Sequence, residues 1–205
     1  VGAGHGTFTE VVVSNHLASL PTARLGAFEP AVKLYQQLTD RLGQKHHAVV
    51  HANRLVTHNS YFTPVPEKFD TIIMINVLEH IADDTAALRV VSESLCPGGM
   101  FVVFVPALPW LYSEFDRDVG HHRRYTQPAL SRLMREEHLD VVKSQYMDFF
   151  GIVPWYLLNV LGGVRSVTPG MVQLYDRICV PITRRLESLW PPALGKNILM
   201  IGRKV

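Results

Sequence analysis

The stretch that most constrains the fold is Val1-Gly2-Ala3-Gly4-His5-Gly6, a Gly-x-Gly-x-Gly turn followed by a run that can form a helix. Alternate glycines let the backbone turn tightly and leave no Cβ in the path of an approaching ligand. Such a turn works between a strand and a helix, because the helix then aims its free amides and positive dipole end at the ligand. Only Val1 of the supporting strand is in the sequence, so a truncated first strand is expected. In the dinucleotide fingerprint Gly-x-Gly-x-x-Gly the third glycine would fall at Thr7. That mismatch disfavours a nicotinamide or flavin enzyme. On these residues alone a merely structural turn stays open.

Downstream, strand-like and helix-like stretches alternate. Thr7 to Leu20 can be helical. Ala23 to Phe28 reads as a strand ending at Glu29-Pro30, and Pro30 suits the first turn of a helix closed by Gly43. His47 to Ala52 is a third strand candidate, and Asn53 to Lys68, with Pro64 and Pro66, reads as a long connection. Phe69 to Val77 is a near-continuous apolar run, the mark of a strand covered on both faces. Asp83-Asp84 starts a helix to about Leu95, Pro97-Gly98-Gly99 turns the chain, and Met100 to Val105 is another buried strand. Gln127 to Glu137, Phe149 to Leu161 and Met171 to Leu189 read as helices, and Val141 to Tyr146 and Asn197 to Lys204 as strands. The pattern predicts an α/β, Rossmann-like, mostly parallel sheet with helices on both faces.

The 205 residues suit a single domain, 1–205, with a helical insertion at about 149–194 before the last strand. Hydrophobic residues make up 47% and charged residues 19%, which argues against disorder. A formal net charge of +2 gives no reason to expect nucleic-acid binding. Cys96 and Cys179 form no CxxC pair, so neither a disulfide framework nor a structural zinc site is expected. No charged region followed by an apolar stretch marks a secretory signal, and Phe149 to Val164 is broken by Gly151, Pro154, Asn159, Gly162 and Gly163. The expected location is the cytoplasm.

Five segments in order carry a resemblance: Val1 to Gly6, Glu29-Pro30, Phe69-Asp70-Thr71-Ile72-Ile73, Asn76-Val77-Leu78-Glu79-His80-Ile81, and Leu95-Cys96-Pro97-Gly98-Gly99. Together they resemble the class I S-adenosylmethionine-dependent methyltransferases, in particular the type 11/12 families, over most of the chain up to about Leu139. The resemblance implies a seven-stranded sheet with its last strand, Asn197 to Lys204, antiparallel. It implies S-adenosyl-L-methionine as cofactor. Gly2, Gly4 and Gly6 would line its methionine part, Glu29 would hold the ribose, and Asn76 would stand near its amino group. Glu29 also has a plainer reading, as a charge at a helix N-terminus. An acid or amide at the end of the third strand would meet the adenine amine. Asn53 is assigned there, with Asn59 as rival.

Methyl transfer from a sulfonium is an in-line displacement in which positioning supplies most of the acceleration. An oxygen or nitrogen acceptor can also need a base. His80, His121 and Tyr125 are the catalytic candidates, and Glu79, His122, Arg123 and Arg124 the substrate-binding ones. His80 could instead order its loop. The segment from Glu114 to Thr126 resembles a signature of bacterial methyltransferases found among polysaccharide or lipid genes, which implies a lipid- or sugar-linked small-molecule acceptor. The alternative is a scaffold in which Asp116 or Asp118 pairs with the arginines and Thr126 caps the helix from Gln127. No metal is expected, since His121 and His122 have no third ligand at a helix or strand spacing. The apolar region 149–194, with Arg165, Arg177, Arg184 and Arg185, reads as helices closing one side of the pocket or as a dimer contact. A lid over a greasy acceptor, or a surface resting on membrane, is the alternative. For the whole chain, the rival of a different class is a non-catalytic protein of the same fold. The sequence gives no oligomeric state.

Overall fold

The computed structural model describes residues 1–17, 19–64, 67–166 and 168–205, and the chain divides into two compact units, Val1–Thr63 and Pro64–Val205.

The first unit begins with the glycine turn and continues into α1 (Thr7–Val12), which passes into a π-helical turn at Val13–Leu17. Ala18, inside the expected helix to Leu20, lies outside the described residues. Strand β1 (Leu25–Phe28), α2 (Val32–Lys45), α3 (His47–His51) and β2 (Leu55–His58) follow. The two strands pair in parallel, from Leu25 opposite Leu55 to Phe28 opposite His58. Val13, Leu17, Ala27, Leu38, Leu42 and Leu55 form the core between the helices and this ribbon. Each such side chain removed from water contributes about 1.5–3 kcal/mol, except alanine, which contributes less.

Two expectations change here. His47 to Ala52 is helical rather than extended, and the strand comes later, at Leu55–His58. A short apolar run does not distinguish the two by period. Pairing decides it, because Leu55 is the buried residue that faces β1. Gly43 does not close α2, which continues to Lys45. Val65 and Pro66, in the long connection, lie outside the described residues.

The second unit holds β3 (Phe69–Ile75), α4 (Asp84–Ser94), β4 (Leu95–Pro106), α5 (Glu114–Asp118), α6 (Gln127–Glu136), β5 (Leu139–Met147), α7 (Ile152–Trp155), α8 (Pro169–Leu189) and β6 (Asn197–Lys204). The sheet order is β3-β4-β6-β5. β3 and β4 are parallel, and β6 runs antiparallel to both of its neighbours. Phe101, Val103 and Val105 on β4 and Ile198 and Met200 on β6 are fully buried. Asp83 caps α4 by accepting from the Ala86 amide at 2.9 Å, and Thr126 caps α6 from Ala129 at 3.3 Å.

The expected turn at Pro97-Gly98-Gly99 is instead an irregularity inside the β3–β4 pairing. Phe69 opposes Leu95, whereas Thr71 already opposes Met100. Gly98 sits at φ 78°, and a Cβ on Gly99 would stand 2.8 Å from the Cys96 carbonyl and 3.2 Å from those of Phe69 and Asp70. The glycines let the extra residues fold against the neighbouring backbone.

The expected seven-stranded, mostly parallel sheet is corrected to a mixed four-stranded sheet and a parallel two-stranded one among the described residues. Residues 1–3 form no strand. The antiparallel last strand is as expected. Between β5 and β6, α7, a π-helical stretch at Tyr156–Leu161 and α8 make up the expected helical insertion. No described helix is long and apolar enough to cross a membrane.

Candidate active site

In the first unit all three loop glycines adopt positive φ: 64° at Gly2, 55° at Gly4 and 87° at Gly6. A Cβ at Gly6 would meet Leu38 Cδ1 at 2.7 Å, so close packing on α2 requires that glycine. A Cβ at Gly4 would meet nothing within 4 Å, which leaves the loop open on that side. Glu29, at the end of β1, is buried, and its carboxylate bridges two segments. Its Oε2 accepts from the Gly4 amide at 2.8 Å and its Oε1 from the Ala31 amide at 2.9 Å. Each oxygen keeps a second lone pair for a ligand hydroxyl. The expected helix-terminus role and the ligand role are thus both available to one side chain.

Asn53 is misplaced by the sequence assignment. It precedes β2 at φ 53°, at the amino end of the strand. Asn59 follows β2 at the carboxyl end, where ligands of open α/β sheets bind. Its Nδ2 donates to the carbonyls of Glu29 at 2.9 Å and Pro30 at 3.2 Å. The rival Asn59, not Asn53, therefore stands at the carboxyl end of the strand, a shift that follows from reading 47–52 as the strand.

In the second unit Asn76 follows β3 at φ 51°, its amide donating to the Phe104 carbonyl at 2.9 Å. Leu78–His80 forms a 3₁₀ turn just beyond. The segment after α5 docks on this turn: the His122 amide donates to the Glu79 carbonyl at 2.8 Å, and Tyr112 Oη donates to the His121 carbonyl at 2.7 Å. The fold thus brings Glu79, His80 and His121 together from two loops. The ring centroids of His80 and His121 are 4.6 Å apart, nearly perpendicular. His121 Nε2 lies 3.8 Å from Glu79 Oε1.

Asp116 organises the group from behind. It is fully buried, sits 2.8 Å from His121 Nδ1, and accepts from Arg124 Nε at 3.0 Å and Nη2 at 3.1 Å. The Ser113 amide and hydroxyl bind its other side at 2.9 and 3.0 Å. Burial works against its charge, yet the bonds from His121 and Arg124 outweigh it and hold the carboxyl below its usual pKa. Glu79 is different. Both its oxygens are buried with no hydrogen-bond partner, and desolvation pushes its pKa up to about 7. His80 is exposed, with Nδ1 3.3 Å from the Gly120 carbonyl. Burial of its ring, then the neighbouring His121, lower its pKa.

Two candidates take scaffold positions. Arg124 is buried in its pair with Asp116, and its guanidinium lies 4.7 Å over the Trp155 ring, so its donors are spent inside the fold. Tyr125 is buried and donates to Asp84 at 2.9 Å, and burial, then Asp84, push its pKa up. A hydroxyl so engaged is a poor base. Arg123 pairs with Asp84 at 2.7 Å but stays partly exposed and lines a cavity with Arg132 and Thr126. His122 is exposed. Asp84 was not singled out by the sequence reading; it looks like an ordinary first-turn acid until the fold brings Arg123 and Tyr125 to it.

The insertion reaches this neighbourhood. Trp155 Nε1 donates to the Leu111 carbonyl at 3.0 Å, and Arg165 pairs with Glu114 at 2.9 Å. Phe149, Phe150, Leu157 and Leu161 remain exposed.

A glycine turn closed by an acidic side chain at a strand end, on an α/β fold, is an arrangement that nucleoside-cofactor proteins use. Residues 1–101 match the model of a methyltransferase domain family. Together with the fold, this match supports a class I S-adenosylmethionine-dependent methyltransferase with S-adenosylmethionine as cofactor. Among solved structures it is similar to a methyltransferase from Bacillus halodurans (16% identity, TM-score 0.63, covering 99% of this chain and 90% of that one). It is also similar to a sarcosine dimethylglycine methyltransferase from Galdieria sulphuraria (15%, TM-score 0.64, 99% and 76%). A third is an O-methyltransferase of a Brevibacillus brevis multienzyme bound to S-adenosylhomocysteine (19%, TM-score 0.60, 99% and 65%). At these identities the likeness is one of fold. No curated protein matches the chain.

Proposed function

We propose that the chain acts as one methyltransferase domain, 1–205, that moves the methyl group of S-adenosylmethionine to a lipid- or sugar-linked small molecule in the cytoplasm. Gly2, Gly4 and Gly6 hold the methionine part of the cofactor, Glu29 its ribose, Asn59 its adenine side, and Asn76 its amino group. The observation that carries this reading is the Gly4–Glu29 latch: one carboxylate ties the glycine loop to the strand end and keeps lone pairs for two hydroxyls.

In-line displacement needs the acceptor on the axis of the S–CH₃ bond, so orientation supplies most of the rate, and His80 and His121 are the residues proposed to contact the acceptor. Asp116 holds the proton on His121 Nδ1, which leaves Nε2 to receive a proton from the acceptor. Arg123, with its charge only partly engaged, is suited to an acceptor phosphate or carboxylate. Neighbours of this fold are named for both amine and hydroxyl acceptors, in line with a site that orients more than it activates.

Calorimetric titration with S-adenosylhomocysteine tests the cofactor half. Wild type binds, and Glu29→Ala loses at least roughly tenfold in affinity, the equivalent of one charge-assisted hydrogen bond. Absence of any binding by the wild type would sink the enzyme reading and leave a non-catalytic protein of this fold.

A further inference from the structure

We propose that Glu79, His80 and His121 form a binding site for one divalent transition-metal ion. Each residue offers one ligand atom, and the three atoms lie within 4.8 Å of one another. Ligands sharing an ion at bond lengths of about 2.0–2.2 Å sit roughly 3–4 Å apart. His121 Nε2 and Glu79 Oε1, at 3.8 Å, already meet that spacing. His80 is exposed and packs edge-on against His121, with ring centroids 4.6 Å apart.

The observation that asks for a ligand is the state of Glu79. Its side chain is wholly buried, and neither carboxylate oxygen has a hydrogen-bond partner. Buried polar atoms are partnered in the great majority of cases, and a bare carboxylate is the costliest exception. A cation would satisfy it.

The surroundings are those of a ligand set. A metal-bound imidazole usually gives its other N–H to a carboxylate or a carbonyl, which fixes the tautomer. His121 has Asp116 at Nδ1, and His80 has the Gly120 carbonyl there. In a neutral ring with its proton on Nδ1, Nε2 is left as the ligand atom. Asp116 is itself locked by Arg124 and Ser113. Two imidazoles and one carboxylate select zinc, iron(II), cobalt or nickel over magnesium and calcium, and leave coordination positions open for an acceptor oxygen. With the ion bound, His121 Nε2 is a ligand rather than the base, and a metal-bound oxygen would shed its proton to solvent more readily.

The test is calorimetric titration of EDTA-stripped full chain with zinc chloride, with magnesium chloride as comparison. Zinc should bind at about one ion per chain, magnesium far more weakly. Glu79→Gln and His80→Ala should each weaken zinc roughly tenfold or more, and Asp116→Asn by about 10–100-fold through His121. Glu79→Gln changes no volume and His80 is exposed, so these two variants separate binding from folding. His138→Asn, elsewhere on the surface, should bind zinc as wild type does. Absence of zinc binding, or equal affinity in Glu79→Gln, overturns the proposal and assigns the Glu79–His121 contact to a proton. The same samples are titrated with S-adenosylhomocysteine. Retained binding of that ligand without zinc binding leaves the methyltransferase reading intact and removes only the metal.

Discussion

His121 Nδ1 lies 2.8 Å from Asp116 Oδ1, and that contact decides which imidazole nitrogen faces Glu79. With the proton kept on Nδ1, Nε2 is the working atom. His121→Ala should lower kcat by about 10²-fold or more while S-adenosylhomocysteine affinity holds, as removal of a positioned base or ligand does. Steady-state kinetics beside calorimetry checks this. Full turnover in both His121→Ala and His80→Ala would mean that orientation alone carries the rate.

Asp116 also neutralises Arg124, which is buried against Trp155. Asp116→Asn leaves that guanidinium uncompensated and should cost about 3–5 kcal/mol in denaturant unfolding. A loss below about 1 kcal/mol would show that Arg124 finds water or another partner.

Glu79 predicts a pH effect with a definite sign. Its folded pKa of about 7 lies above the ordinary glutamate value of 4.5, so the folded state holds the proton more tightly. The associated stability is fully present below about pH 4.5 and is lost as pH rises through 7. The loss amounts to roughly 3 kcal/mol. In EDTA, Tm of the wild type should fall between pH 5 and 8 relative to Glu79→Gln. Parallel curves for the two proteins would contradict a buried, bare carboxylate.

The glycines of the loop divide the labour. Gly6→Ala places a methyl against Leu38 and strains φ 87°, so it should destabilise by about 1–3 kcal/mol. Gly4→Ala meets no atom within 4 Å and pays only for its φ of 55°, about 1 kcal/mol. Its Cβ projects into open space where the cofactor is proposed, so its larger effect should be on S-adenosylhomocysteine affinity. Thermal melts and titrations of the two variants should rank them in opposite order.

Tyr125→Phe removes the hydroxyl that binds Asp84. It should cost about 1–2 kcal/mol of stability and leave turnover and its pH profile unchanged. A drop in kcat greater than tenfold would return Tyr125 to the chemistry.

Long apolar runs were the most legible part of the sequence. Phe69–Ile75 and Asn197–Lys204 are strands as read, because residues covered on both faces leave a continuous signal. The caps at Asp83 and Thr126 were equally plain. His47–His51 was not, since five residues rich in valine satisfy either period and only the pairing of Leu55 with Leu25 decides. The Asn53 assignment failed with it. The site shows the same limit. Asp116 and Arg124 were readable as a possible ion pair, but Glu79, His80 and His121 meet only because the His122 amide docks on the Glu79 carbonyl, a contact across 43 residues with no local signature.

Hydrogen–deuterium exchange with and without S-adenosylhomocysteine locates the cofactor on the chain. Binding at the glycine turn should slow exchange at the amides of Gly4 and Gly6, and at Glu29 and Ala31 beside the carboxylate that closes the loop. Protection confined to other parts of the chain, with these amides unchanged, would contradict the account.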